Sequence, residues 1–335
     1  MSALLRSRAR ESKMTSTADH STIRPGTGEP REGDPFVSVV VCTHNRSAEL
    51  QRYALPSLVS LTYLYFEVVV IDDASSDDTA AVVSRFQARM PNLRYVMNDK
   101  HHSLCHVRNL GVASSRGAII AFIDDDCEVD SSWLTELVRP YICDAKVMAV
   151  AGKVFLGDTG QEAKSPVGCN MSFRASLFED FQFDTNLTYS HWGDEADLFE
   201  MMSARNIPVV LAAKATVRHH ISPSPFRPDK IGWSLNALYS FGKQHSLITY
   251  FAALLVFSGM FLHGTVNQRY WVSRHASQFA IGSLVPQLEN IRSSSSLAWR
   301  FIWVYYVILI EIPWKLILWK YFRRKPDRII REPTA

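Results

Sequence analysis

Three adjacent aspartates, Asp124, Asp125 and Asp126, follow the apolar run Ala118–Ile123. Carboxylates placed side by side repel one another unless a cation or a cluster of donors neutralises them. Hard oxygen ligands of this kind suit Mg²⁺ or Mn²⁺, with substrate phosphates completing the coordination. A bland alternative is a solvated acidic loop capping a helix over Ser131–Val138. A second acidic group, Asp194, Glu195 and Asp197, opens a helix whose apolar face carries Leu198, Met201 and Met202. Anions are favoured in a first helical turn, so these side chains either cap or do chemistry. His219 and His220 come next, and a histidine downstream of an acidic metal candidate is itself a candidate ligand.

The elements that must position these residues follow from apolar patterning. Ala118–Ile123 reads as a strand buried on both faces. Phe36–Cys42, Glu67–Ile71 and Leu93–Met97 are further strands, separated by helical stretches. Ser47 is placed to cap the first helix, whose regularity Pro56 interrupts. A helix around Leu104–Ala113 carries Arg108 and Asn109, and Val147–Ala151, Val209–Leu211 and Ala215–Val217 read as later strands. Strands alternating with helices imply a doubly wound, mostly parallel α/β sheet with helices on both faces. Ligands bind at the carboxyl edge of such a sheet, where Thr43, Asp73 and Asp124 stand. No glycine-rich phosphate loop is present, so bound phosphates would need a cation and basic side chains such as Arg108.

Bulk properties narrow the class. The 335 residues are 47% hydrophobic with a net charge of +3, which supports a large core and gives no sign of nucleic-acid binding. Cys42, Cys105, Cys127, Cys143 and Cys169 show no paired spacing and read as reduced thiols, neither zinc site nor disulfide framework. Residues 1–34 are polar and read as a disordered leader without a signal-peptide core.

In order, the chain contains Val-Ser-Val-Val-Val-Cys-Thr-His-Asn-Arg, Glu-Val-Val-Val-Ile-Asp-Asp-Ala-Ser-Ser-Asp, Arg108-Asn109-Leu110-Gly111 and Ile-Asp-Asp-Asp. Asn170-Met171-Ser172-Phe173-Arg174, Gly193-Asp194-Glu195-Ala196-Asp197-Leu198 and His219 complete the series. This order resembles the family 2 glycosyltransferases of GT-A fold over about residues 36–222. The resemblance implies inverting transfer of a sugar from a UDP-, GDP- or dTDP-sugar to a saccharide or lipid-linked acceptor, with Mg²⁺ or Mn²⁺. It implies that Thr43, Asn45, Arg46, Asp73, Arg108, Asp124 and Asp125 bind the nucleotide-sugar. Asp124, Asp126 and His219 would hold the metal, with His220 the near alternative. Asn170 and Asp197 would lie on the acceptor side. The family usually has Glu then Asp where this chain has Asp194 then Glu195; by position the base is Glu195, with Asp194 the alternative. A nucleotidyltransferase and a catalytically inactive sugar-nucleotide-binding subunit are the competing readings. The first normally carries a glycine- and lysine-rich loop that is absent here.

Residues 35–222 are thus expected to form the catalytic domain and 223–335 a helical appendage. Leu247–Leu262 is uncharged for 16 residues, below the roughly 20 needed to span a bilayer. Arg300, Glu311 and Lys315 fall on one helical stripe. Trp303, Tyr305, Tyr306, Trp314 and Trp319, followed by Lys320, Arg323, Arg324 and Lys325, fit a helix lying in an anionic membrane surface. The expected location is the cytoplasmic side of the cell membrane; a packed helical lid is the alternative.

Overall fold

A computed structural model of the chain describes residues 33–163, 168–188, 193–220, 230–251 and 307–321. Most of the expected leader, most of Leu247–Leu262, and Arg300, Trp303, Tyr305, Tyr306, Arg323, Arg324 and Lys325 lie outside the described residues. The described residues fall in two compact units that divide between residues 227 and 228.

In the first unit, four strands pair in parallel in the order β3-β2-β1-β4: β1 Val37–Thr43, β2 Phe66–Asp72, β3 Leu93–Met97 and β4 Ile119–Asp124. Val39, Val40 and Val41 are successive residues of β1 and all fully buried. Successive side chains of a strand point to opposite faces, so both faces of the sheet are covered. The connecting helices are α1 (Ser47–Glu49, continuing through Leu50–Ala54 and Leu55–Val59), α2 (Thr79–Gln87) and α3 (Leu104–Ser114). Gly111 lets α3 lie close on β1; a β-carbon there would meet Val40 Cγ1 at 2.5 Å.

α1 runs through Ser47–Glu49, a π-helical Leu50–Ala54 and Leu55–Val59. Pro56 lacks an amide proton and crowds the preceding turn; the wider π-turn accommodates it. Ser47 is not the cap. It is the first helical residue, after Arg46, and Asp77 Oδ2 accepts its amide proton at 2.9 Å.

Beyond β4 the sheet becomes mixed. β5 (Cys127–Val129) pairs antiparallel with β9 (Val209–His219). β6 (Ala149–Leu156) pairs with β7 (Gln161–Glu162), β8 (Met171–Arg174) and β9, and β8 also pairs antiparallel with β4. The two short strands expected at the end of this unit are one strand, β9. Its register jumps from Gly152↔Ala212 to Lys153↔Thr216, so residues 213–215 bulge out between them. The aspartates do not cap a helix over Ser131–Val138, because β5 intervenes and α4 begins at Trp133 (Trp133–Cys143). α5 spans Asp194–Ser203.

The second unit contains α6 (Lys230–Gln244) and α7, a π-helical Val307–Glu311 continuing as Ile312–Tyr321. A β-carbon on Gly242 would meet Leu316 Cδ1 at 2.4 Å, and the Tyr250 hydroxyl donates to the Ile308 carbonyl at 2.7 Å. Lys315 pairs with Glu311 at 3.0 Å, as the stripe predicts. No helix among the described residues is long and apolar enough to cross a membrane.

Candidate active site

Register brings the tips of the parallel strands to one level. Cys42 on β1 sits beside Asp124, and Thr43 beside Asp72. The Thr43 hydroxyl donates to Asp125 Oδ2 at 2.7 Å. Arg46, in the turn after β1, forks across the triplet: Nε reaches Asp125 Oδ1 at 2.8 Å and a terminal nitrogen reaches Asp126 Oδ2 at 2.5 Å. Asn45 takes a left-handed conformation there, φ 53°, and its side-chain oxygen accepts from the Ser76 amide at 2.7 Å, tying the tips of β1 and β2 together.

Asp73, just after β2, is buried and heavily engaged. Its carboxylate accepts from Asn98 Nδ2 at 2.7 Å and from the His102 amide at 2.9 Å, and it faces His101 Nδ1 at 2.7 Å. His44 stacks near His101 with centroids 4.1 Å apart.

β5 decides which histidine enters the site. Cys127 pairs directly with His219, which puts His219 Nε2 3.1 Å from Asp126 Oδ1. The next residue points the other way. His220, the alternative, instead stacks on Tyr53 at 4.0 Å and meets Glu128 at 3.1 Å, outside the group that His219 joins. One ligand atom each from Asp124, Asp126, Cys127 and His219 lie within 4.8 Å of one another. The two carboxylates suit Mn²⁺ or Mg²⁺ by donor chemistry, and the imidazole adds a nitrogen donor beside them.

Arg108, on α3, joins the two acidic groups. It is buried, with one terminal nitrogen bonded to Asp194 Oδ2 and the other 3.5 Å from Asp124 Oδ1. Gly168 gives it room, since a β-carbon there would lie 2.7 Å from that second nitrogen. Asn109, which sequence reasoning did not single out as a site residue, locks the wall behind Arg108 through a two-way bond with the Phe183 backbone at 2.8 and 3.0 Å. Gly193, at φ 100°, precedes α5 in a left-handed conformation that suits glycine.

The two adjacent acids on α5 differ sharply. Asp194 is buried and tied to Arg108, while its other oxygen, Oδ1, has no partner among the described residues. Glu195 is only half-buried. Burial, and then the neighbouring Asp194 charge, push the Glu195 carboxyl up to about 8. Burial pushes Asp125 up to about 7 and also raises Asp124. Burial pulls Asp126 upward too, but the His219 hydrogen bond and the charges of His219 and Arg46 outweigh it and leave Asp126 below the ordinary carboxylate range.

The two residues expected on the acceptor side are both buried. Asn170 is fully buried, and all its amide hydrogen bonds are internal: it accepts from Trp133 Nε1 at 3.0 Å and donates to the Lys153 and Ala215 carbonyls at 2.9 Å each. Asp197 is also buried, on the inner side of α5. Asn170 thereby ties the turn that carries it to β6, β9 and α4. The cysteines are free thiols, as expected; Cys127 and Cys169 also converge on His219 despite their 42-residue separation.

An open α/β sheet with a carboxylate-rich edge, rigid arginine links and no phosphate loop defines a GT-A type of nucleotide-sugar site. Comparison agrees. Residues 38–191 match the family described as Glycosyl transferase family 2. Glycosyltransferase AglE of Haloferax volcanii is 30% identical over 167 residues, covering 49% of this chain and 52% of that protein. The GalNAc(5)-diNAcBac-PP-undecaprenol beta-1,3-glucosyltransferase of Campylobacter jejuni is 33% identical over 106 residues, 31% of this chain and 34% of the relative. The chain therefore spans about half or less of these two relatives. Among solved structures, the mannosyltransferase PcManGT from Pyrobaculum calidifontis, in complex with GDP-Man and Mn²⁺, superposes with a TM-score of 0.55 at 18% identity, over 89% of this chain and 84% of that one. S. aureus TarS 1-349 with UDP-GlcNAc gives 0.51 at 17% identity, over 62% and 65%. Residues 38–191 thus match the family 2 glycosyltransferases, and the fold is GT-A.

Proposed function

We propose that the protein is an inverting glycosyltransferase that moves a sugar from a nucleoside-diphosphate sugar to a hydroxyl of a saccharide or lipid-linked saccharide, with Mn²⁺ or Mg²⁺ bound. The observation that carries this reading is a charge imbalance. Five carboxyl groups, Asp124, Asp125, Asp126, Asp194 and Glu195, converge where Arg46, Arg108 and His219 are the cationic partners. Three cations do not offset five acids, so the edge either holds extra protons, as the raised Asp125 and Glu195 do, or takes up a cation that releases them. When bound, the metal neutralises charge on the leaving diphosphate. Asp124, Asp126 and His219 would hold it. Thr43, Asn45, Arg46, Asp73 and Asp125 shape the nucleotide side of the pocket. Arg108 fixes Asp194, which keeps the start of α5 in place. Glu195 accepts the proton of the attacking hydroxyl as oxygen approaches the anomeric carbon from the face opposite the leaving group. Its raised affinity for protons makes it a stronger base than an ordinary carboxylate. No covalent intermediate is required.

A panel of UDP-, GDP- and dTDP-sugars with Mn²⁺, read by mass spectrometry and by the anomeric configuration of the product, tests this. Donor-dependent transfer with inversion is expected. A product of retained configuration, or no transfer and no nucleotide release from any donor, overturns it.

We also infer that the second unit holds the protein on the cytosolic face of a membrane. Ile310, Trp314 and Leu318, four residues apart on α7, are all exposed and form an apolar stripe beside the exposed Leu309. The undecaprenol in the name of the Campylobacter jejuni relative fits a membrane-borne acceptor. Co-sedimentation with anionic vesicles is expected for the full chain and should weaken in Trp314→Ser; equal partitioning of the two would refute the stripe's role.

A further inference from the structure

The first unit brings two thiols and an imidazole together beside the carboxylate site. Cys127 arrives on β5, His219 by its pairing with Cys127 on β9, and Cys169 on the turn Gly168–Asn170. One ligand atom from each of the three lies within 4.8 Å of the others. Asp126 Oδ1 stands 3.9 Å from Cys127 Sγ and 3.1 Å from His219 Nε2.

These spacings suit a soft cation. Tetrahedral Zn²⁺ with bonds of about 2.3 Å to sulfur and about 2.0 Å to nitrogen holds its ligand atoms roughly 3.3–3.8 Å apart. Two thiols and one imidazole are a known three-ligand zinc set, with a fourth position left for oxygen. The thiols are also held rigidly. Trp133 and the Lys153 and Ala215 carbonyls fix Asn170, and so the turn carrying Cys169. Such supporting bonds are what orient ligands in built metal sites. Cys105, equally buried on α3, belongs to no such group among the described residues.

We propose that Cys127, Cys169 and His219, with Asp126 as fourth ligand, form a second metal site selective for Zn²⁺ or another thiolate-preferring cation. It is distinct from the oxygen-rich Asp124/Asp126 site but shares His219 and Asp126 with it. Both sites cannot be filled at full coordination together. Zn²⁺ therefore acts as a brake: occupying the sulfur site withdraws two ligands from the hard cation. The imidazole between two thiols and two aspartates is the point where the choice of cation is made.

The site is tested with metal alone, on the full chain and without donor or acceptor, so its outcome is separate from the transfer reaction. Co²⁺ serves as the coloured stand-in for Zn²⁺. The metal-free protein titrated with Co²⁺ should show a thiolate-to-cobalt charge-transfer band that Zn²⁺ abolishes. Cys127→Ser and Cys169→Ser should each weaken Zn²⁺ binding by at least about 10–100-fold, the cost of losing even an outer-shell partner. Cys143→Ser, an exposed thiol elsewhere, should leave both readouts unchanged. A band that is absent, or that survives both serine substitutions, overturns the proposal. Should the serine variants fail to fold, X-ray absorption at the zinc edge of the wild-type protein decides. Two sulfur neighbours at about 2.3 Å support the site, and a shell of only nitrogen and oxygen refutes it.

Discussion

The two edges of the parallel sheet both bury acidic residues, and they treat them in opposite ways. At the amino edge, Glu67 opens β2. One of its oxygens accepts from the Ser38 hydroxyl at 2.7 Å and the Arg116 amide at 2.8 Å, and the other from Arg94 at 3.0 Å. The Ser38 hydroxyl oxygen in turn accepts from the Gly117 amide at 2.8 Å. Each carboxylate oxygen is matched by donors, and the network seals the start of β4. At the carboxyl edge, Asp194 keeps one buried oxygen without a partner among the described residues, and Asp124, Asp125 and Glu195 are all raised by burial. Buried polar groups are ordinarily satisfied, so the under-compensated edge is the one organised to receive something charged. Burial of acid is common to both edges; incomplete neutralisation is what separates the site from the scaffold.

The sharpest break of this contrast lies in α5. Glu195→Gln should lower turnover by about 10²–10⁴, the range for removal of a general base, with donor affinity nearly unchanged. Asp194→Asn should act differently. It weakens the hold on Arg108, so donor binding and protein stability should fall along with rate. If the two variants exchange these behaviours, Asp194 is the base. A pH profile sharpens the point. A base must be deprotonated to work, so kcat/KM should rise with pH through about 8, where burial and Asp194 place Glu195, and this limb should vanish in Glu195→Gln. A limb retained in that variant assigns the ionisation elsewhere.

The next largest effect concerns the cation. Asp126→Asn keeps the shape and removes a ligand charge facing Arg46 and His219. The Mn²⁺ concentration for half-maximal rate should climb by at least about 10–100-fold, and excess chelator should abolish activity in the wild type. Undiminished activity in chelator would remove the metal from the reaction.

How much of this was readable in the sequence differs between the two halves of the sheet. β1, β2 and β4 are largely apolar runs, β2 and β4 with acids at their tips, and the strands and most site residues follow from that pattern. The mixed half is different. β9 reads as two strands because the bulge at residues 213–215 interrupts its pattern, and a bulge is fixed by the partner strand β6. The bracing bonds of Asn170 could not be read locally, because polar residues near a ligand and polar residues bracing a sheet look alike; its three bonds come from β6, β9 and α4. The distinction between His219 and His220 needs strand register, as does the meeting of Cys127 with Cys169. The inequality of Asp194 and Glu195 depends on Arg108, 86 positions away from Asp194. Long-range partners of this kind leave no local trace in sequence.

The smallest expected effect tests the amino edge itself. Glu67→Gln preserves volume and leaves an oxygen able to accept from Ser38 and Arg116. Its new amide would face Arg94 donor to donor, although Arg94 also bonds the Ser114 carbonyl at 2.7 Å and can keep that link. The variant should lose about 1–3 kcal/mol, the usual cost of an uncompensated buried polar contact. That corresponds to about 2–4 °C in Tm per kcal/mol for a unit of this size. Turnover of the folded fraction should stay close to wild type, because none of these groups reaches the opposite edge. Thermal melting together with active-site-normalised rates separates the two quantities. A large loss of rate at unchanged stability would mean that the amino edge helps to position the strand tips, and the division between scaffold and site would then have to be redrawn along β1 and β4.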